Sequence, residues 1–303
     1  MREKVQSFKE YFEKKYENQI ESIAKKYVYN NRERFHTNYI PNPTSCYYAE
    51  QNVMGISFKD SNIKNEIFFH LSVIVYVQIK GRAGKYSNNS YDEDTAEEWI
   101  GISCSAILDN GLTNVKFLDV DRYSKQLFNK EKTLSKYLVP YFYSTDLDNR
   151  AENFLKKYCE KALMTAMPLP VLEIVEKMGL NIYYAPLTDS IFGRTYFADS
   201  NEQVYNPNDV LETKVIKKGS ILINCSVSFM NSVGSENNTI IHECIHWEYH
   251  KKFFELQHLL NPEEKSMSCM VVDNFIKGGK ITEEIEWMEM AQQMPILLLL
   301  QAE

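Results

Sequence analysis

The sequence predicts an α+β chain in two parts, on three observations. Apolar residues recur every three to four positions near the start, a run at 71–79 alternates residue by residue, and beyond residue 145 short helical and strand-like segments interleave. With 303 residues, 44% of them hydrophobic, the chain can cover a core as one large domain or two ordinary ones.

Val5, Phe8, Phe12, Tyr16, Ile20, Ile23 and Tyr27 hold the spacing of a one-sided apolar helix, so this segment is expected to pack and to turn its charges to solvent. Leu71, Val73, Val75, Val77 and Ile79 read as a strand ending at the turn signal Lys80-Gly81-Arg82. Ile100, Ile102 and Cys104 suggest a second strand and 115–120 a third, with turns at Asn88-Asn89-Ser90 and Asp109-Asn110-Gly111. Asp92-Glu93-Asp94 with Glu97-Glu98 lacks the glycine and ligand spacing of a calcium loop and is expected to be a solvated loop. Residues 60–125 thus form a β-rich or α+β module inside an N-terminal region, 1–145, of unspecified role.

The boundary is placed near 145, where Ser144-Thr145-Asp146 offers N-caps for a helix through Phe154-Leu155. Pro170 opens a short helix that Gly179 closes, and strands are expected at 181–185, 191–197 and 220–224. A last helix is expected after Gly278-Gly279, with Thr282 as its N-cap, running to about Pro295.

A formal charge of −7 argues against direct nucleic-acid binding through overall positive charge. Six cysteines, none in a Cys-x-x-Cys pair, read as reduced thiols. No apolar run of signal-peptide length follows the first basic residues, and Ile296 to Leu300 falls far short of the roughly 20 apolar residues of a membrane-crossing helix. The expected location is the cytoplasm, away from membranes.

His242-Glu243-Cys244-Ile245-His246 fits His-Glu-x-x-His, the pattern in which two imidazoles bind Zn2+ and the glutamate serves as general base. Four residues make about one helical turn, so both rings lie on one face and converge, with Glu243 to the side. Gly234-Ser235 is expected to break the chain and cap this helix, and Ile240, Cys244 and Trp247, widened by Ile241 and Ile245, give it an apolar stripe. His250 lies roughly 12 Å beyond His242 along an unbroken helix, too far to share the metal, and is read as a neighbour of the ligands or as exposed. Trp247-Glu248-Tyr249 supplies no glycine bend of the metzincin type. On the expected last helix either Glu286 or Glu289 could project into the metal site while Ile285 and Met288 anchor it.

In order along the chain, Ile191-Phe192-Gly193-Arg194-Thr195-Tyr196-Phe197, Asn238-Thr239-Ile240-Ile241-His242-Glu243 and Ile285-Glu286-Trp287-Met288-Glu289 resemble the ImmA/IrrE family of bacterial zinc metallopeptidases. The resemblance implies a zincin-like peptidase domain at 146–303, with a small sheet and an active-site helix, preceded by an α+β accessory region at 1–145. Matching the last segment to the family's downstream Glu-x-x-Ala pattern implies Glu289 as third zinc ligand, with Glu286 as the fallback. The chain departs from that pattern at Gln292 and Gln293, where alanine and asparagine are usual, and at Gln301-Ala302, where Met-Pro is usual.

The chemistry expected is metal-assisted peptide hydrolysis with Glu243 moving the proton. Tyr196, His250 or Arg194 could supply a donor to the oxyanion, and spacing does not choose among them. The resemblance implies a protein or peptide substrate, specifically a helix-turn-helix repressor cut at one site. Two other readings compete. One is a metal-binding regulator that does not hydrolyse its partner; the other is a structural zinc site, although such sites favour four protein ligands and cysteine. Cys244 points away from the histidines and would not complete one.

Overall fold

The structure, a computed structural model, describes residues 7–61, 65–84, 90–109, 111–125, 134–141, 144–165, 167–188, 191–226, 232–261, 263 and 265–270. The structure is mixed α+β, with about 35% of the described residues in helix and 41% in strand, so neither state dominates. It divides into two compact units between Lys136 and Tyr137. That division falls before residue 145 because Val139 is buried with Phe197 and Phe254 in the second unit.

In the first unit, helix α1 (Phe8–Asn30) begins with a reciprocal cap: the Ser7 hydroxyl accepts the Glu10 N–H while the Glu10 carboxylate accepts the Ser7 N–H. Its buried stripe, Phe8, Phe12, Ile20, Ala24 and Tyr27, packs against an antiparallel meander in the order β1 (Pro43–Asp60), β2 (Glu66–Arg82), β3 (Tyr91–Leu108), β4 (Leu112–Arg122). Every second residue of β2 from Ile67 to Ile79 is buried, the period of a strand with one covered face. Phe8 meets Phe58 with ring centroids 5.2 Å apart, and Phe12 meets Phe69 at 4.9 Å.

Two features differ from expectation. Strand β1 is not visible as an alternation because its pairing with β2 shifts at Pro43/Ser45, Tyr48/Glu50 and Val53/Gly55, and each shift resets the two-residue period. The acidic stretch is not a loop but the start of β3, where Asp92, Glu93 and Asp94 pair with Gly81, Lys80 and Ile79. Groups elsewhere in the sequence partner these carboxylates: Lys80 forms an ion pair with Glu93, and hydroxyls donate hydrogen bonds, Thr37 to Asp94 at 2.6 Å and Tyr39 to Asp92 at 2.5 Å.

The second unit opens with a 3₁₀ turn at Ser144–Asp146 and α2 (Leu147–Tyr158), where Asp146 stands at the N-cap without a side-chain cap bond. Then come α3 (Lys161–Met164) and α4 (Val171–Met178), which Gly179 ends at φ 69°, a left-handed conformation that suits glycine. Strands β5 (Asn181–Ala185), β6 (Ile191–Tyr196), β9 (Ser220–Asn224) and β10 (Ser266–Met270) form a sheet in the order β10-β6-β9-β5; β5 runs parallel to β9 and the other pairs are antiparallel. An unexpected hairpin, β7 (Ser200–Tyr205) and β8 (Leu211–Ile216), packs Val204 and Ile216 with Tyr196 and Leu222. Most of β8 is exposed, so no buried alternation marks it. Ile221 and Ile223 face the other way, into a core with α2, α4 and α5 (Val233–Tyr249), which α6 (Lys251–Leu260) follows.

Among the described residues no helix is long and apolar enough to cross a membrane. The five described cysteine side chains are free thiols.

Candidate metal centre

Helix α5 starts at Ser232, not at Ser235: the Ser232 hydroxyl accepts the Ser235 N–H at 3.1 Å, three residues on as an N-cap requires. Its middle, Thr239 to His246, is buried on all sides. Ile240, Ile241, Cys244 and Ile245 enter the apolar core, and the opposite side lies against β6. The last turn is tied to α2. Glu248 accepts from Lys157 at 2.5 Å and Tyr158 at 2.6 Å, and the Tyr249 hydroxyl donates to the Arg150 carbonyl at 3.2 Å.

His242, Glu243 and His246 come together on this helix. The Nε2 atoms of His242 and His246 are 2.7 Å apart and their ring centroids 4.5 Å, so both nitrogens point at one place. Exposure is 8% for His242, 2% for His246 and 0% for Glu243, so water does not solvate these groups individually. Burial pushes the His242 imidazole down to about 4; it pushes His246 well below its ordinary value, helped by its two histidine neighbours. Both rings are neutral at pH 7, the form that binds a metal.

Glu243 sits between α5 and β6. The Thr195 hydroxyl donates to its Oε2, while Oε1 has no hydrogen-bond partner among the described residues. Burial raises its carboxyl to about 8, against the opposing pull of the Thr195 hydrogen bond and the Arg194 charge. Gly193 makes the approach possible: a Cβ there would lie 2.8 Å from Glu243 Oε1 and 2.8 Å from Thr239 Cγ2. Gly193 and Thr195 are two apart on a strand and so share the face toward α5. Neither has a role in the sequence-based site, yet a Gly-x-Thr spacing on a strand beside the helix is the signal that could have found them.

The same alternation turns Tyr196 to the other face of the sheet, into the cluster with Val204 and Leu222. Burial raises its phenol to about 12. Of the three oxyanion candidates, Tyr196 is therefore out of reach of Glu243's side of the sheet, and the Arg194 guanidinium extends to the Tyr196 hydroxyl at 3.5 Å.

His250 is neither exposed nor carried away on a continuous helix. The backbone leaves helical geometry there, at φ −109° and ψ 2°, and α6 begins at the next residue. The ring is fully buried, with its Nδ1 2.8 Å from His246 Nδ1. Burial, with the nearby His242 and the Arg150 charge, brings it down to about 3.

Two convergent neutral imidazoles and an adjacent carboxyl fit a divalent first-row ion such as zinc. Among the described residues no group of three or more His, Cys, Asp or Glu side chains is arranged to hold one. Glu289, Glu286 and the helix expected from Thr282 lie outside the described residues. Comparison with models of protein families, with curated proteins and with solved structures gives no match.

Proposed function

We propose that the chain is a zinc-dependent metallopeptidase of the ImmA/IrrE kind, with a zincin-like second unit. The observation that carries the reading is the convergence of His242 Nε2 and His246 Nε2 at 2.7 Å beside the buried Glu243 carboxyl. His242 and His246 would hold the ion, with Glu289, or Glu286 in its place, as third ligand. Zinc, when bound, supplies Lewis acidity that activates a water and polarises a peptide carbonyl.

The protein's own groups do the rest. Glu243 takes a proton through one carboxylate oxygen and returns it to the leaving amine, while Thr195 holds the other oxygen by its hydrogen bond. The buried face of α5 keeps both imidazoles neutral and fixed before any ligand arrives. The substrate proposed is a helix-turn-helix repressor, cut at one site in the cytoplasm.

One observation favours a second reading, a metal-binding regulator that does not hydrolyse its partner: Glu243 is fully buried and, without metal, keeps its proton at neutral pH. Zinc content and cleavage of candidate helix-turn-helix repressors, measured on the parent and Glu243→Gln, separate the two. The peptidase reading expects the variant to keep its zinc and lose cleavage. Equal cleavage by both would refute it, and zinc binding without cleavage by the parent would favour the regulator.

A further inference from the structure

We infer that His250 positions the metal-binding imidazole of His246, accepting a hydrogen bond from its Nδ1–H without reaching the metal itself. The inference rests on the metal-centre reading above and adds to it a residue outside the His-Glu-x-x-His pattern.

The three rings form a string. His246 faces His242 through Nε2 at 2.7 Å and His250 through Nδ1 at 2.8 Å. Each separation is a hydrogen-bond distance between two nitrogens, so each contact holds one proton. A neutral imidazole carries one N–H. Only two proton arrangements therefore satisfy both contacts. In one, His246 donates from Nε2 and accepts at Nδ1; its Nε2 lone pair is then blocked. In the other, His246 donates from Nδ1 to His250 and accepts at Nε2 from the His242 Nε2–H. A shared ion needs both Nε2 lone pairs, so its binding keeps the His246 Nδ1–H of the second arrangement and moves the His242 proton to that ring's own Nδ1, and His250 is the group that accepts from His246 Nδ1.

The fold places His250 for this task. His250 stands four residues after His246, on the same helix face one turn on, at the C-cap where the chain leaves helical geometry before α6 begins at Lys251. The His250 N–H still caps the His246 carbonyl at 2.9 Å, so backbone and ring both bind the same residue. Glu248 and Tyr249, tied to α2, hold the turn between them. A ligand imidazole whose second nitrogen is held by an acceptor is fixed in tautomer and orientation, and loss of such a partner lowers metal affinity by about 10–100-fold.

The test compares two substitutions of similar size on the full chain, His250→Gln, which offers an acceptor carbonyl, and His250→Met, which offers none to match it. Kd values for Zn2+ and for Co2+ are measured by competition with a chelating dye, and metal-free melting curves verify folding. His250→Met is expected to bind both ions about 10–100-fold more weakly than the parent, with His250→Gln recovering most of the loss and the visible spectrum of the cobalt protein. Equal Kd values for Gln and Met, in a parent that binds zinc, would overturn the role of His250 and leave the metal centre standing. A parent that binds neither ion would overturn the metal centre and this inference with it.

Discussion

Replacing Gly193 by alanine tests the packing that brings Glu243 into place. The added Cβ would stand 2.8 Å from Glu243 Oε1, 2.8 Å from Thr239 Cγ2 and 3.1 Å from Glu243 Cγ. The closest of these lie roughly 0.7 Å inside the ~3.5 Å at which carbon atoms rest. Both side chains are buried between β6 and α5, so neither can swing into solvent. Overpacking of this kind costs about 1–3 kcal/mol. Shifting Glu243 also strains its bond from Thr195, at about 0.5–1.5 kcal/mol for a typical hydrogen bond. Together they give about 1.5–4.5 kcal/mol, or a fall in Tm of roughly 3–18 °C for a unit of this size. The assay is thermal and urea unfolding of metal-free protein, with Gly234→Ala as control. There the nearest atom is Ser232 Oγ at 4.0 Å. The control is expected to be neutral or up to about 1 kcal/mol stabilising. If Gly193→Ala melts with the parent, the close approach of β6 to α5 is refuted.

Thr195→Val leaves a buried Glu243 oxygen without its donor and should cost about 1–3 kcal/mol, a loss that shrinks when Glu243→Met has already removed the carboxyl. Strict additivity in that double-mutant cycle would show that the two side chains do not interact. The metal-free protein should also have a stability maximum near pH 6.5, because the buried groups pull in opposite directions. His242, held at about 4, His250, at about 3, and His246, held low, are neutral in the fold, so stability is lost as pH falls below 6.5 and the unfolded chain takes up protons. Glu243, held at about 8 against an ordinary 4.5, has the opposite sign, and stability is lost as pH rises toward 8. Below 6.5 three imidazoles outweigh one carboxyl; above it the carboxyl acts alone, with a slope of up to about 1.4 kcal/mol per pH unit. Urea unfolding across pH 5–9 checks this, and an alkaline limb that survives in Glu243→Gln would contradict it.

The sequence discloses elements whose burial is one-sided and regular. Alpha helix α1 and strand β2 show their periods directly, and Gly179 marks a helix end because only its left-handed backbone closes one there cheaply. Strand β1 hides behind its register shifts and β8 behind its exposure. The acidic start of β3 misleads because its partners, Thr37, Tyr39 and Lys80, are distant in sequence. At the candidate site the convergence of His242 and His246 follows from helical spacing alone. Thr195 and Gly193 do not, since only the packing of β6 against α5 makes them neighbours of Glu243. The contact of His250 with His246 follows the same four-residue spacing, and of the two places the sequence left open for His250, beside the ligands or exposed, the structure shows the first.

The middle of α5 has no side that faces water: eight successive residues, Thr239 to His246, are buried. A surface helix tolerates replacement at every position of its outer face, so a substitution map along it rises and falls with the helical turn. Along Thr239 to His246 a substitution map is expected to show no such ripple. Sequence drift in this segment meets the apolar core on one side and the strand on the other, leaving its eight positions to change only together with a neighbour across the interface.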